Sequence, residues 1–150
     1  MMTHPGKKLN FMGNELAMFR EWDERREPDW DLLNMPAHDS FHRYIGELNR
    51  LYLKKNVLWA LDHTYDGFKW VDCKSDNKCV FAYTRTDGTR TLLALFNFSD
   101  KEAAIAPKLD GKVTMLLNTD WEIYGGSTKR SASRSIPETI PAFCGMLFSL

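Results

Sequence analysis

Charge of a single sign, metal-ligand spacing, long apolar runs and internal repeats are all missing from this 150-residue sequence, and each absence removes a class of function. Lys+Arg and Asp+Glu both number 20, so the formal net charge is zero and no one-sign field draws in nucleic acid or an anionic bilayer. No apolar run approaches the roughly 20 residues that cross a membrane, and Met1 to Gly6 hold no secretory apolar segment, so the expected location is the cytoplasm. The three cysteines are odd in number and lack zinc-site spacing. Cys73 and Cys79 flank an expected hairpin turn and lie in range to pair across it, whereas a cytosolic setting keeps them as thiols. Only His38 and His42 stand at helical i,i+4 spacing, with no H-E-x-x-H around them, so neither a metal nor a cofactor is expected. No serine sits in a G-x-S-x-G turn, and Gly125-Gly126-Ser127 lacks the strand–loop–helix frame of a phosphate loop and reads as a turn.

What is present is a hydrophobic content of 43%, enough for a chain of this length to bury about two thirds of its unfolded surface around one core. Leu9 to Met12 reads as a buried strand ending in a polar loop that carries Glu15. A long loop rich in charge and tryptophan follows, from Glu21 to Asp31; loops of this length are usually functional or cover a neighbouring surface. The periodicity then predicts a helix over 40–55, N-capped by Asp39 or Ser40, with Phe41, Tyr44, Ile45, Leu48, Leu51 and Tyr52 on one buried face and Lys54-Lys55 at its negative end.

From Asp66 onward short β-type runs alternate with turn residues, the pattern of an antiparallel sandwich. The expected strands are Phe68 to Asp72, Cys79 to Thr86, Thr91 to Ser99, Ala103 to Ala106, Lys112 to Asn118, Ser131 to Ile136 and Ala142 to Ser149. Asp87-Gly88 and Ser75-Asp76-Asn77 are the expected hairpin turns. Leu92 to Phe96, apolar on both faces, should be the central strand; Pro107 and Pro141 should mark edges or strand ends.

Carboxylates and aromatics are the candidate functional groups. Glycosidic chemistry needs a positioned acid with a second carboxylate nearby, and Glu15 sits where a strand becomes a loop; its plainer role is that of a solvated or backbone-capping acid. Glu21, Asp23, Glu24 and Glu27 interleave with Arg20, Arg25 and Arg26, which reads as a salt-bridged surface loop. Sugar rings stack on Trp and Tyr, which makes Trp22, Trp30, Trp121 and Tyr124 candidates, while Trp70, inside an alternating strand, is expected in the core.

Pro5-Gly6-Lys7-Lys8-Leu9-Asn10-Phe11-Met12-Gly13-Asn14-Glu15, then Arg20-Glu21-Trp22 and Asp29-Trp30, resembles the C-terminal region of the bacterial glycogen branching enzymes of the alpha-amylase superfamily. Glu47 to Tyr52 resembles the family's helix after the barrel, Gly67 to Val71 its first β-domain strand, and Leu117 to Asp120 with Tyr124 to Ser127 a loop of that domain. Leu16, Ala17 and Met18 depart from the family's usual Phe followed by Gly-Gln or Ala-Gln, and Asn10 replaces an apolar strand residue.

The resemblance implies a mainly β fold. Residues 1–62 would form the end of a (β/α)8 catalytic barrel, with its last strand, loop and helix, and residues 63–150 an amylase-type C-terminal β-sandwich. It also implies an enzyme that cuts an α-1,4-glucan, holds it covalently and transfers it to a 6-hydroxyl, making α-1,6 branches. The three catalytic carboxylates would precede this sequence, so no catalytic residue is assigned here. Glu15, Trp22, Trp121 and Tyr124 are the candidate substrate contacts, α-glucan is the implied partner, and no nucleic acid, membrane, metal or cofactor is expected. The chain then reads as the inactive scaffold-and-support tail of an enzyme; the alternatives are a stand-alone carbohydrate-binding module and the tail of another amylase-type hydrolase. A barrel strand without its neighbours exposes two edges, so residues 1 to about 20 are expected to rearrange or to be held by another copy.

Overall fold

The computed structural model describes residues 1–73, 79–105, 107 and 112–150. The Ser75-Asp76-Asn77 turn and Ala106 lie outside them. Among the described residues one α-helix, α1 (Pro36–Lys54), precedes seven strands: β1 (Phe68–Asp72), β2 (Val80–Thr86), β3 (Thr91–Asn97), β4 (Ala103–Ala104), β5 (Thr114–Asn118), β6 (Thr139–Ile140) and β7 (Gly145–Ser149). Five of them form an antiparallel sheet in the order β1-β2-β3-β7-β5, and β4 pairs with β6 in a second, two-stranded sheet.

The pleat divides the apolar residues between two faces. Ala82, Leu93, Leu95, Met146 and Phe148 pack with Ala103 and Ile140 of the small sheet and with Ile105 just after β4, giving the sandwich its core. On the other face Tyr83, Ala94, Leu117 and Leu147 meet Leu48, Tyr44 and Leu51 of α1. Each fully buried Leu or Phe here contributes about 1.5–3 kcal/mol. Central β3 is buried on both faces, as its unbroken apolar run predicted. Asp87-Gly88 makes the β2–β3 turn: Asp87 Oδ1 accepts from Thr89 N (3.0 Å) and Arg90 N (2.8 Å), and Gly88 takes φ 92°.

Four sequence expectations are corrected. Leu9 to Met12 is neither a strand nor buried: among the described residues no strand pairs with it, the chain turns from Phe11 into Gly13 at φ 80°, and Leu9, Phe11 and Met12 are exposed. The helix starts at Pro36 rather than at Asp39 or Ser40, because proline in the first turn needs no N–H partner and presets φ; Asp39 instead pairs with Arg43 one turn on, at 2.7 Å. Ser131 to Ile136 stays irregular, its serines bonding locally (Ser133 Oγ to Ser135 O, 3.0 Å), and the strand forms later, as β6. The last strand begins at Gly145, not Ala142, because Phe143 takes a left-handed φ of 48°.

Residues 1–8 lie over the helix-side face of the sheet. Thr3 and Tyr83 share a hydroxyl–hydroxyl hydrogen bond of 2.6 Å, and buried Arg85 donates to the carbonyls of Thr3 (2.9 Å) and Gly67 (3.1 Å) while pairing with Asp62.

Candidate functional site

The four sequence candidates share no cavity. Glu15 follows the turn at Gly13, in a short 3-10 segment (Asn14–Leu16) whose backbone is held by two histidines one turn apart on α1: His38 Nδ1–H donates to Leu16 O (2.7 Å) and His42 Nδ1–H to Glu15 O (3.2 Å). The Glu15 carboxylate accepts from Asn10 Nδ2 at 3.1 Å, so its neighbour is an amide rather than the second carboxylate that glycosidic chemistry requires. Trp22 lines a concavity of about 490 Å3 together with Phe11, Asn14, Phe19 and Arg20, and its ring meets Phe11 edge-on at 5.5 Å. The charged loop beyond it is salt-bridged as expected: Arg20 holds Asp29 through two contacts (2.5 and 3.2 Å), keeping the Asp29 carboxyl below its ordinary value, and Arg25 holds Asp23.

Trp121 and Tyr124 belong to the seam between helix and sheet. Trp121 is only 3% exposed, with the Arg130 guanidinium 5.0 Å from its ring centre, so its faces are not free to stack on a sugar. Tyr124 packs on Tyr44 (5.4 Å), and its hydroxyl donates to Glu47 Oε2. Burial first, then the Glu47 carboxylate, pushes that hydroxyl far above the ordinary tyrosine value. Gly125 closes the turn at φ 86°, and Gly126 lies against the Asp120 backbone where no Cβ fits.

One ring expected in the core lies at the surface instead. Trp70 is 44% exposed rather than buried. It opens a row of rings across β1, β2 and the end of β3: Trp70 to Phe81 is 6.2 Å, Phe81 to Phe98 5.9 Å, and Phe98 stacks on Phe96 at 5.8 Å and 11°. Phe98 is 62% exposed. With His4, Lys7 and Tyr83 these rings line a concavity of about 440 Å3. The i,i+2 spacing of Phe96 and Phe98, with Phe81 opposite Phe96 in the register, was the available signal. Alternation predicted burial for Trp70; the packing shows that α1 and residues 1–5 cover part of this face and leave the β1 side open. Among the described residues, no group of three or more His, Cys, Asp or Glu side chains is placed to hold a metal ion.

The sheet carrying this row coincides with a known domain: residues 70–147 match the model of the alpha amylase C-terminal all-beta domain. The chain belongs to the family of alpha amylase C-terminal all-beta domains. Among curated relatives, the 1,4-alpha-glucan branching enzyme of Nitratidesulfovibrio vulgaris (strain DP4) is 41% identical over 129 residues, covering 83% of this chain and 20% of that protein. The branching enzyme of Salinibacter ruber is 38% identical over 142 residues, covering 91% and 22%. The branching enzyme of Burkholderia pseudomallei (strain 668) is 38% identical over 146 residues, covering 95% and 20%. The chain thus spans about a fifth of the length of these relatives. Among solved structures, the pullulanase of Anoxybacillus sp. LM18-11 complexed with maltotetraose shares the fold at TM-score 0.57 and 17% identity, covering 82% of this chain and 17% of that one. An isomaltulose synthase variant of Erwinia rhapontici NX5 in complex with sucrose aligns at TM-score 0.54 and 20% identity, covering 82% of this chain and 20% of that one. The family assignment therefore rests on the β domain, and the likeness to branching enzymes extends over nearly the whole chain.

Proposed function

We propose that this chain is the C-terminal part of a glycogen branching enzyme and that, on its own, it supports and binds α-glucan without catalysing transfer. The single observation that carries the glucan contact is the row Trp70–Phe81–Phe98, in which exposed Trp70 and Phe98 flank a half-buried Phe81 and offer flat apolar rings to the faces of glucose units. Similarity to branching enzymes over 83–95% of the chain supports the choice of α-glucan among carbohydrates. Glu15, paired with an amide, supports the inactive reading, because retaining chemistry needs two carboxyl groups roughly 5 Å apart. The exposed Cys73 thiol and the buried Cys144 thiol support a reducing, cytoplasmic setting.

Incubation with amylose followed by iodine staining tests the catalytic half: no loss of stain is expected, and turnover at the rate of a full-length branching enzyme overturns it. Titration of maltoheptaose against tryptophan fluorescence tests the binding half. Saturable binding that Trp70→Ala removes is expected, and binding unchanged in that variant overturns the assignment of the row. Exposed Leu9, Phe11 and Met12 support self-association of the isolated chain. Sedimentation showing a monomer at high concentration removes that part of the proposal.

A further inference from the structure

Pro5 to Lys8 runs between two cavities, and Lys7 lines both. On one side is the aromatic row. On the other is a groove of about 740 Å3, within the range of about 300–1,000 Å3 usual for small-molecule sites, lined by Tyr52, Leu53, Trp59, Asp62 and His63. Trp59 is 45% exposed, and its ring is held in place because the indole Nε1–H donates to the Tyr52 carbonyl at 3.1 Å. A fixed, half-exposed indole is a platform for the apolar face of a sugar.

Polar groups of both kinds surround that ring. The Lys8 ammonium sits 5.5 Å from the Tyr52 ring centre and 3.7 Å from Asp62, and it donates to the Gly6 carbonyl at 2.7 Å. His63 is exposed and has no partner among the described residues. Lys8 and Arg85 share the Asp62 carboxylate, so the groove offers ammonium donors beside a carboxylate acceptor, a combination that suits a hydroxyl-rich chain. Between the cavities the ridge is low: Gly6, at φ 101°, has no side chain, and a Cβ built there meets nothing within 4 Å.

We propose that one α-1,4-glucan chain lying on the Trp70–Phe98 row crosses the ridge at Gly6 and continues into this second groove, where Trp59 stacks on a glucose unit and Lys7 and His63 hydrogen-bond its hydroxyls. The proposal rests on the reading of the aromatic row as a glucan site and extends that site across the molecule.

Calorimetric titration of the full 150-residue chain with maltotriose and maltoheptaose, for the wild type, Trp59→Ala, Trp59→Phe and Trp70→Ala, tests it. Trp59→Ala should weaken maltoheptaose about tenfold, the equivalent of one lost ring stack, and Trp59→Phe should restore most of the loss. Maltotriose on the row should be untouched by either change. Maltoheptaose affinity that is unchanged in Trp59→Ala but lost in Trp70→Ala overturns the second groove and leaves the row standing; equal weakening of both sugars overturns the single continuous chain. A wild type that binds neither sugar overturns the row and its extension together. Should Trp59→Ala fail to fold, the indole N–H resonance of Trp59 in the wild type decides: a shift on adding maltoheptaose but not maltotriose supports the groove, and no shift overturns it.

Discussion

The Tyr124 hydroxyl donates to Glu47 Oε2 at 2.5 Å, and Arg130 grips the other oxygen of the same carboxylate at 2.7 Å. One side chain of α1 thereby ties the helix to the segment between β5 and β6, alongside the apolar contact of Leu48 with Tyr83 and Leu147. Hydrogen bonds to a charged acceptor are the stronger kind, and Tyr124→Phe should cost about 1.5–3 kcal/mol, read as a lower denaturant midpoint with an unchanged slope.

The same pair sets a pH dependence. Folding raises the Tyr124 hydroxyl above its ordinary value of 10.0, through burial first and Glu47 second, so above that pH the unfolded chain has lost a proton that the folded chain keeps. The unfolded state then binds fewer protons and stability falls as pH rises. Its contribution is complete below pH 10 and declines above it, and Tyr124→Phe should flatten that alkaline decline in thermal unfolding measured across the window.

Arg85 is 1% exposed and saturates three acceptors: the Thr3 and Gly67 carbonyls and the Asp62 carboxylate. Arg85→Ala should cost about 3 kcal/mol, because partners withdrawn from water are left without a donor. Hydrogen exchange should also quicken around Thr3, whose anchorage to the sheet depends on this guanidinium. Unchanged exchange there would show that the Thr3–Tyr83 contact is sufficient by itself.

At the β2–β3 turn, the amides of Arg90 and Thr89 and the Thr89 hydroxyl hold the Asp87 carboxyl below its ordinary value. A lowered folded value means stability that is present above the unfolded pKa and lost as pH falls through the folded one. Acid titration of the Asp87 carboxyl by NMR should show a midpoint below 3.8, and Asp87→Ala should remove that part of the acid sensitivity while loosening the hairpin.

Leu9 to Met12 carries no strand pairing and is exposed. Its amides should exchange at close to the rate of unstructured peptide in a dilute sample, while those of central β3 should be among the most protected. Strong protection of Leu9 to Met12 in a verified monomer would contradict this arrangement.

Much of the β region is legible in the sequence because its signals are local. Phe68 to Asp72 forms over the expected residues, Asp87-Gly88 turns where only a positive φ lets it, and Leu92 to Phe96 is central because neither of its faces tolerates water. Errors fell where a neighbour decides. The apolar run Leu9 to Met12 predicted a strand, but a strand needs partners on its edges, and here none stands beside it. The alternation around Trp70 predicted a core residue, but α1 and the first residues leave its side of the sheet open.

The sequence by itself determined the antiparallel β class, the helix, the two-faced central strand and the likeness to branching enzymes, since periodicity, turn chemistry and motif spacing are properties of neighbouring residues. Only the tertiary structure decided which aromatics remain outside. Trp121 is buried with Arg130 over its ring and Tyr124 beside it, whereas Trp70, Phe98 and Trp59 are left at the surface. Exposure depends on which distant segments arrive to cover a ring, and that is settled by packing between residues far apart in the chain.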